Sequence, residues 1–224
     1  MKKFMILAAV AMLVGGASAA VRDTISLNAG WQFHLGELSG IEAVKNAKSE
    51  RVNLPHDFLI GQPWVEPDAS ERPDNSDAGS NVRSRLSPRG FKEMNVGWYR
   101  YVLTPKAEWK GRRVVLDFQG IMLVGDVWLN GKHIGKTDYG YLGFDTDISS
   151  MIKYDGDNEI IVKANTQQPN NSRWYTGGGL YRDVNLIVTD KKLYFPRHPL
   201  FIRTENNKKV KIQAEIACFN KVDN

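Results

Sequence analysis

The chain has 224 residues, of which 42% are hydrophobic and 25% charged, with a formal net charge of +5 at pH 7 and a single cysteine. One cysteine excludes an internal disulfide framework, so stability in an oxidising compartment has to come from an apolar core. The basic pairs Arg112-Arg113, Lys191-Lys192 and Lys208-Lys209 are scattered at strand ends instead of forming a stripe. They read as solvated surface and argue against a nucleic-acid partner.

The first element is an export signal over residues 1–20. Lys2 and Lys3 form its basic start, Phe4 to Val14 its apolar run, and Ala17-Ser18-Ala19 a small-residue cleavage pattern. Cleavage near Ala19 or Ala20 predicts a periplasmic or extracellular protein, whose net charge falls to +3 once Lys2 and Lys3 are gone. No cysteine follows the cleavage pattern to anchor a lipid. The apolar run is too short to span a bilayer, and no later stretch qualifies, so no membrane span is expected.

Residues 21–189 are dominated by period-two alternation. Val114, Leu116 and Phe118 oppose Val115, Asp117 and Gln119. Ile160, Val162 and Ala164 oppose Ile161 and Lys163, and Val184, Leu186 and Val188 form a further set. Successive side chains of a strand point to opposite faces, so these segments read as half-buried strands. Asn130-Gly131, between Val127-Trp128-Leu129 and His133-Ile134, is a hairpin signal. Asp155-Gly156-Asp157-Asn158 lacks the spacing and final glutamate of a calcium loop and reads as the turn into a strand from Glu159. Long helical periodicity is absent; at most a short turn forms around Ser149 to Ile152. The polar segment from Gly61 to Asn95 breaks the rhythm. With Trp64, Leu86 and Phe91 as anchors, it is expected to lie ordered on the sandwich.

From Asp190 the character changes, with Pro196 and Pro199 marking a junction. Residues 190–224 read as the incomplete start of a second β domain, in which Leu200 to Asn224 supplies two strands, with Val210, Ile212, Ala214 and Ile216 alternating against Lys211, Gln213 and Glu215. Two strands make no independent core, so the chain reads as the front part of a longer protein whose exposed strand face leaves it prone to associate. Cys218 falls on the apolar phase and is expected to be a small buried hydrophobe. The fold class is therefore all-β.

The candidate binding segment is Arg173-Trp174-Tyr175-Thr176-Gly177-Gly178-Gly179-Leu180-Tyr181-Arg182-Asp183-Val184. Aromatic faces bury the C–H face of a sugar ring, and arginine and asparagine bind hydroxyls. Each of these residues also has a structural reading: Trp174 and Tyr175 as interface packing, Arg173 as the partner of a carboxylate, and Gly177 to Gly179 as a turn. His56-Asp57 follows Pro55 in a short loop. No nucleophile motif accompanies the pair, so packing or loop-anchoring hydrogen bonds are its expected role. His34, His56, His133 and His198 show no metal-ligand spacing, and no phosphate-binding glycine motif occurs. Neither a metal nor a cofactor is expected.

The order of motifs is more specific than any one of them. Leu27-Asn28-Ala29-Gly30-Trp31-Gln32-Phe33 is followed by Val52-Asn53-Leu54-Pro55-His56-Asp57-Phe58, Gly97-Trp98-Tyr99-Arg100 and Phe118-Gln119-Gly120. Val127-Trp128-Leu129-Asn130-Gly131, Gly140-Tyr141 with Phe144-Asp145-Thr146-Asp147-Ile148, Asn158-Glu159-Ile160-Ile161-Val162 and the glycine-rich stretch complete the series. It resembles the N-terminal sugar-binding domain of glycoside hydrolase family 2, the β-galactosidase, β-glucuronidase and β-mannosidase family, most like members from Bacteroidetes.

The resemblance implies a jelly-roll sandwich, then the start of an immunoglobulin-like domain, then a (β/α)₈ barrel beyond Asn224. That barrel would carry the two glutamates of a retaining mechanism. It implies no catalytic residue in this chain, a carbohydrate partner with a terminal β-linked sugar, and downstream domains of the same protein as further partners. The loop matching the sugar pocket places Asn165, Arg173, Trp174 and Tyr175 as substrate-binding candidates. It also puts Ala164 where many members have an aspartate, so one hydroxyl acceptor is missing. Two other functions fit the same sandwich: a stand-alone carbohydrate-binding module, and a structural β domain without sugar affinity.

Overall fold

The computed structural model describes residues 22–64, 92–167, 175–205 and 209–218. The expected export signal, most of the 61–95 segment, Arg173 and Trp174 lie outside the described residues. Residues 24–187 form one compact unit, and the residues from Val188 onward belong to a second.

The first unit is built from two antiparallel sheets. Strands β1 (Asp23–Ser26), β2 (Trp31–Leu35), β3 (Glu50–Val52), β4 (Val96–Leu103), β5 (Arg113–Phe118), β6 (Val124–Leu129), β7 (Lys132–Thr137), β8 (Phe144–Asp147), β9 (Asn158–Asn165) and β10 (Val184–Thr189) follow in chain order. Six of them form a sheet in the order β3-β2-β4-β9-β6-β7, and four form a second sheet in the order β1-β10-β5-β8. The all-β expectation holds, and the tight links are those the turn residues dictate. Asn130 (φ 51°) and Gly131 (φ 83°) both take the left-handed conformation that a two-residue hairpin between β6 and β7 demands. Asn158, fully buried, closes the 153–158 turn. Its Oδ1 accepts from Lys153 N (2.8 Å) and Asn130 Nδ2 (2.8 Å), and its Nδ2 donates to the Lys153 carbonyl (2.8 Å). The Asp155–Asn158 segment is thus a turn folded around an amide, as its sequence suggested.

The core lies between the sheets. Trp31, Phe33, Tyr99, Leu103, Val127, Leu129, Ile160 and Val162 from the larger sheet, and Leu116, Phe118, Val184 and Leu186 from the smaller, are all buried. Trp31 is completely buried, meets Tyr99 edge to face, and satisfies its indole by donating to the Leu27 carbonyl (2.6 Å). A buried Trp N–H without such a partner would offset much of the gain from its area.

Three local expectations are corrected. β5 is buried on both faces, since Val115 and Asp117 are buried as well as Val114 and Leu116, so simple alternation understates its burial. Part of the outer face of the larger sheet is also covered. A one-turn helix, α1 (Ile41–Val44), which alternation could not reveal, lays Val44 and Ile41 over Val96, Trp98 and Ile161. Two short 3-10 turns, Phe58–Gly61 and Ala107–Trp109, were likewise not foreseen. The turn expected after Ser149 is present, with Ile152 N donating to the Ile148 carbonyl (3.0 Å).

The second unit contains two strand pairs. β11 (Leu193–Tyr194) pairs with β14 (Ala217–Cys218), and β12 (Leu200–Glu205) pairs with β13 (Lys209–Ala214). Register sets Leu200 opposite Ala214, Ile202 opposite Ile212 and Thr204 opposite Val210, which gathers the aliphatic residues on one face of the β12–β13 hairpin. Leu200, Ile202, Val210 and Ile212 are each 58–65% exposed. Cys218 is exposed as well, contrary to its expected burial, because no second layer covers its strand pair among the described residues. A hairpin with one bare aliphatic face and open edges favours association. The purified chain is therefore expected to self-associate with rising concentration in sedimentation velocity. Replacing the cross-strand pair by Ile202→Glu with Ile212→Lys, which keeps a favourable opposite-charge contact, should weaken that association about tenfold or more. A concentration-independent monomer for the unaltered chain would contradict this.

Candidate functional site

The glycine segment at Gly177–Gly179 is held from two sides. On one side it pairs with the loop that follows β3. Phe58 N donates to the Gly178 carbonyl (3.1 Å), and His56 N to the Leu180 carbonyl (2.8 Å). On the other it bridges to the segment before β6, with Gly179 N donating to the Met122 carbonyl (2.7 Å) and Met122 N to the Gly179 carbonyl (2.9 Å). Gly177 (φ 76°) and Gly179 (φ 102°) are left-handed. A Cβ at Gly179 would run into the Tyr99 hydroxyl and lie 3.0 Å from the His56 carbonyl. The glycines therefore serve as a close-packed turn between two neighbouring segments.

Asp57 is the polar centre of this arrangement. Its Oδ1 accepts from Leu59 N (3.0 Å), capping the 3-10 turn, and from Gly178 N (2.8 Å) across 121 residues of sequence. Its Oδ2 accepts from the Tyr175 hydroxyl (2.8 Å). Burial, reinforced by the hydrogen bond to Asp57 and by its charge, pushes the Tyr175 phenol above the usual tyrosine range. Tyr175 as a residue remains 44% exposed. One carboxylate thus ties together the end of the candidate binding segment, the glycine turn and the His56–Gly61 loop.

His56 works beside it as a packing residue. Its ring stands edge-on to Phe33 (4.6 Å), and its Nδ1 shares a hydrogen bond with the buried Tyr99 hydroxyl (2.9 Å), which Leu180 N also approaches (3.4 Å). Burial is the largest influence on His56 and holds its pKa below the ordinary 6.5, against the opposing charges of Glu50 and Asp57. A histidine kept neutral in the fold leaves the unfolded chain as the tighter proton binder below about pH 6.5. Its contribution to stability is complete above that pH and is lost as the pH falls through the depressed folded value. A His56→Asn variant should therefore show a flatter fall in stability between pH 6.5 and 5 than the unaltered chain, read from urea midpoints. Parallel profiles would refute the assignment.

Asn165 ends β9, between Val96 of β4 and Val124 of β6. It is half-buried, and its Oδ1 accepts from Gln167 N (2.8 Å), so its amide N–H₂ is the part of the side chain left to donate outward. Thr166, next to it, is buried and laced to Asn95: Thr166 Oγ1 donates to the Asn95 carbonyl (2.7 Å) and accepts from Asn95 N (3.0 Å). Ala164 precedes Asn165 on the strand. It is fully buried on the inner phase of β9, opposite Gly97 and Gly125. A side chain at this position points into the sandwich core, whereas that of Asn165 lies on the opposite phase of β9. Of the four expected binding residues, the described structure places Asn165 and Tyr175 on the same end of the sandwich, where β9 ends and β4 and β6 begin. Arg173 and Trp174 lie outside the described residues.

The same end carries the unit's exposed apolar side chains. The β7–β8 loop is held there: the Tyr181 hydroxyl donates to the Gly140 carbonyl (2.9 Å), and Arg182 Nη1 donates to the Tyr141 carbonyl (3.1 Å). It presents Tyr139 and Leu142 to solvent. With Ile60, Trp64 and Tyr175, these make up five of the seven large exposed hydrophobics among the described residues of the first unit. The other two, Leu35 and Val102, are the least exposed of the set. The most exposed apolar side chains of this unit are thus concentrated at one end among the described residues.

Asp57 is the residue whose importance spacing did not convey. An aspartate after Pro-His and before a short turn signals a local cap at Leu59, but its bonds to Tyr175 and Gly178 depend on a chain reversal more than a hundred residues away. Among the described residues no group of three or more His, Cys, Asp or Glu side chains gathers to hold a metal ion, and no helix is long and apolar enough to cross a membrane.

Known proteins share this architecture. Residues 90–186 match the family model described as the glycosyl hydrolase 2 galactose-binding domain-like. The beta-galactosidase BoGH2A of Bacteroides ovatus is 31% identical over 172 residues, covering 75% of this chain and 18% of that protein. A beta-glucuronidase of Bacteroides fragilis is 30% identical over 183 residues, covering 79% of this chain and 22% of that protein. Among solved structures, a beta-glycosidase from Bacteroides vulgatus superposes with a TM-score of 0.70 at 29% identity, covering 89% of this chain and 25% of that one. The chain thus spans about a fifth to a quarter of the length of these relatives. With its motifs, its two-sheet sandwich and these matches in agreement, the chain carries the galactose-binding-like N-terminal domain of glycoside hydrolase family 2.

Proposed function

We propose that this chain is the non-catalytic front section of an exported, retaining glycosidase that removes terminal β-linked sugars. It braces the catalytic part and lends side chains to the wall of the sugar pocket. The observation that carries this reading is the end of the sandwich at which β9 terminates. The half-buried Asn165, the anchored Tyr175 and four further exposed apolar side chains converge there on loops fixed by hydrogen bonds. An apolar rim suits packing against further protein, and an amide beside an aromatic ring suits a sugar hydroxyl and its C–H face. Relatives named as beta-galactosidases and beta-glucuronidases support the substrate class. The basic, apolar and small-residue order of residues 1–20 supports export.

The reading is tested by expressing this chain both alone and within the longer protein encoded by its gene, with nitrophenyl β-galactoside and β-glucuronide as substrates. Turnover is expected only from the longer protein. There, Asn165→Ala should lower kcat/KM by about tenfold, the loss of one or two hydroxyl contacts. Turnover by the chain alone, or an Asn165→Ala enzyme with unaltered kcat/KM, would overturn it. A stand-alone carbohydrate-binding module would instead show saturable galactoside binding by the chain alone in calorimetry.

A further inference from the structure

Resting on that reading and adding to it, we infer that Asp57 is a positioning residue for the sugar site: it pins the Tyr175 hydroxyl so that the exposed face of the ring stands ready to stack on a sugar.

Three hydrogen bonds converge on this carboxylate, and they divide into two groups. Oδ1 takes the backbone N–H groups of Leu59 and Gly178, which fixes the carboxylate itself against two segments of main chain. Oδ2 takes the phenol of Tyr175, which fixes the side chain against the carboxylate. Gly177 makes the approach feasible, because a Cβ there would lie 2.8 Å from Asp57 Oδ2 in a left-handed backbone. A tyrosine on a loop has two free side-chain torsions, and one charge-assisted hydrogen bond at the ring tip removes the freedom of both while leaving the face uncovered. The Tyr175 phenol is displaced upward mainly by burial, and the hydrogen bond to Asp57 and its charge add to that displacement. A purely structural anchor would bury the ring, yet 44% of Tyr175 remains accessible. Stacking of an aromatic face on a sugar ring is geometrically demanding, so fixing the ring beforehand strengthens binding without adding a contact.

Two variants separate the parts of this arrangement. Tyr175→Phe keeps the ring and both backbone bonds of Asp57 but removes the anchor. Asp57→Asn keeps an acceptor for Leu59 and Gly178 but weakens the bond to the phenol. In this chain, ultraviolet titration of the tyrosines should show one phenol returning toward the ordinary range in Asp57→Asn, and that phenol should be absent in Tyr175→Phe. In the longer glycosidase, each variant should raise KM for nitrophenyl glycosides about fivefold with a smaller effect on kcat, and the double variant should be no worse than either single one. An unaltered titration in Asp57→Asn, unaltered KM values, or additive effects would overturn the inference. Tyr175→Ala distinguishes the two levels. If it too leaves KM unaltered, the sugar-pocket reading itself fails at this residue. If it raises KM while Asp57→Asn and Tyr175→Phe do not, only the positioning role fails.

Discussion

Gly179→Ala should destabilise the first unit by about 2–4 kcal/mol, combining the left-handed backbone penalty with forced overlap. The new methyl group would strike the Tyr99 hydroxyl and press on the His56 carbonyl and Phe58. None of these can retreat cheaply. Tyr99 is fully buried and holds the His56 ring, and the His56 main chain is bonded to Leu180. The same substitution at Gly111 provides the control. Gly111 has a similar φ of 82° but nothing within 4 Å of its missing Cβ, so Gly111→Ala should cost only about 1 kcal/mol. Urea unfolding followed by tryptophan fluorescence measures both. Equal losses at the two sites would show that the backbone angle alone matters and that the contact with Tyr99 does not.

The second large effect is expected at Ala164. Ala164→Asp places a carboxylate at a fully buried position on the inner face of the sheet, opposite Gly97 and Gly125, neither of which has a side chain to receive it. An uncompensated buried charge should cost about 3–5 kcal/mol at pH 7, enough to unfold a marginal domain. Burial would raise the folded-state pKa of such an aspartate above its unfolded value. The penalty is then smallest below the unfolded pKa, near 4, and grows as the pH rises through the folded value. The variant should therefore be markedly closer to the unaltered chain at pH 4.5 than at pH 7. A variant as stable as the parent at neutral pH would show that position 164 can turn outward, and would restore it as a candidate for ligand contact. If Asn165 is instead the polar residue of this pair, Asn165→Asp should be tolerated, because that side chain already lies on the outer phase of β9.

These two sites show what alternation can and cannot convey. Asn130-Gly131 and Asp155–Asn158 were legible as turns because their backbone angles are properties of the residues themselves. Most strands were legible because period two survives wherever one face is wet. β5 was misjudged for the opposite reason: Val115 and Asp117 are buried on the second face, and burial on both sides erases the contrast on which the signal depends. The helix at Ile41–Val44 spans a single turn, too short for any period to be read. Cys218 was expected inside because its phase is apolar, yet phase specifies only which face a residue occupies. Whether that face is covered depends on what packs against it.

The candidate site divides along the same line. Residue types marked the aromatic and glycine-rich segment as suited to a sugar, the order of eight motifs pointed to the family, and that resemblance added Asn165 to Tyr175 among the candidates. These features are local, since they depend on backbone freedom, ring faces and hydrogen-bonding capacity carried by each residue. Only the tertiary structure assigned Asp57 to Tyr175 and Gly178, turned Ala164 into the core, and gathered Ile60, Trp64, Tyr139, Leu142 and Tyr175 at one end of the sandwich. Such partnerships join segments up to 121 residues apart, and chain reversals in two antiparallel sheets decide which of them meet.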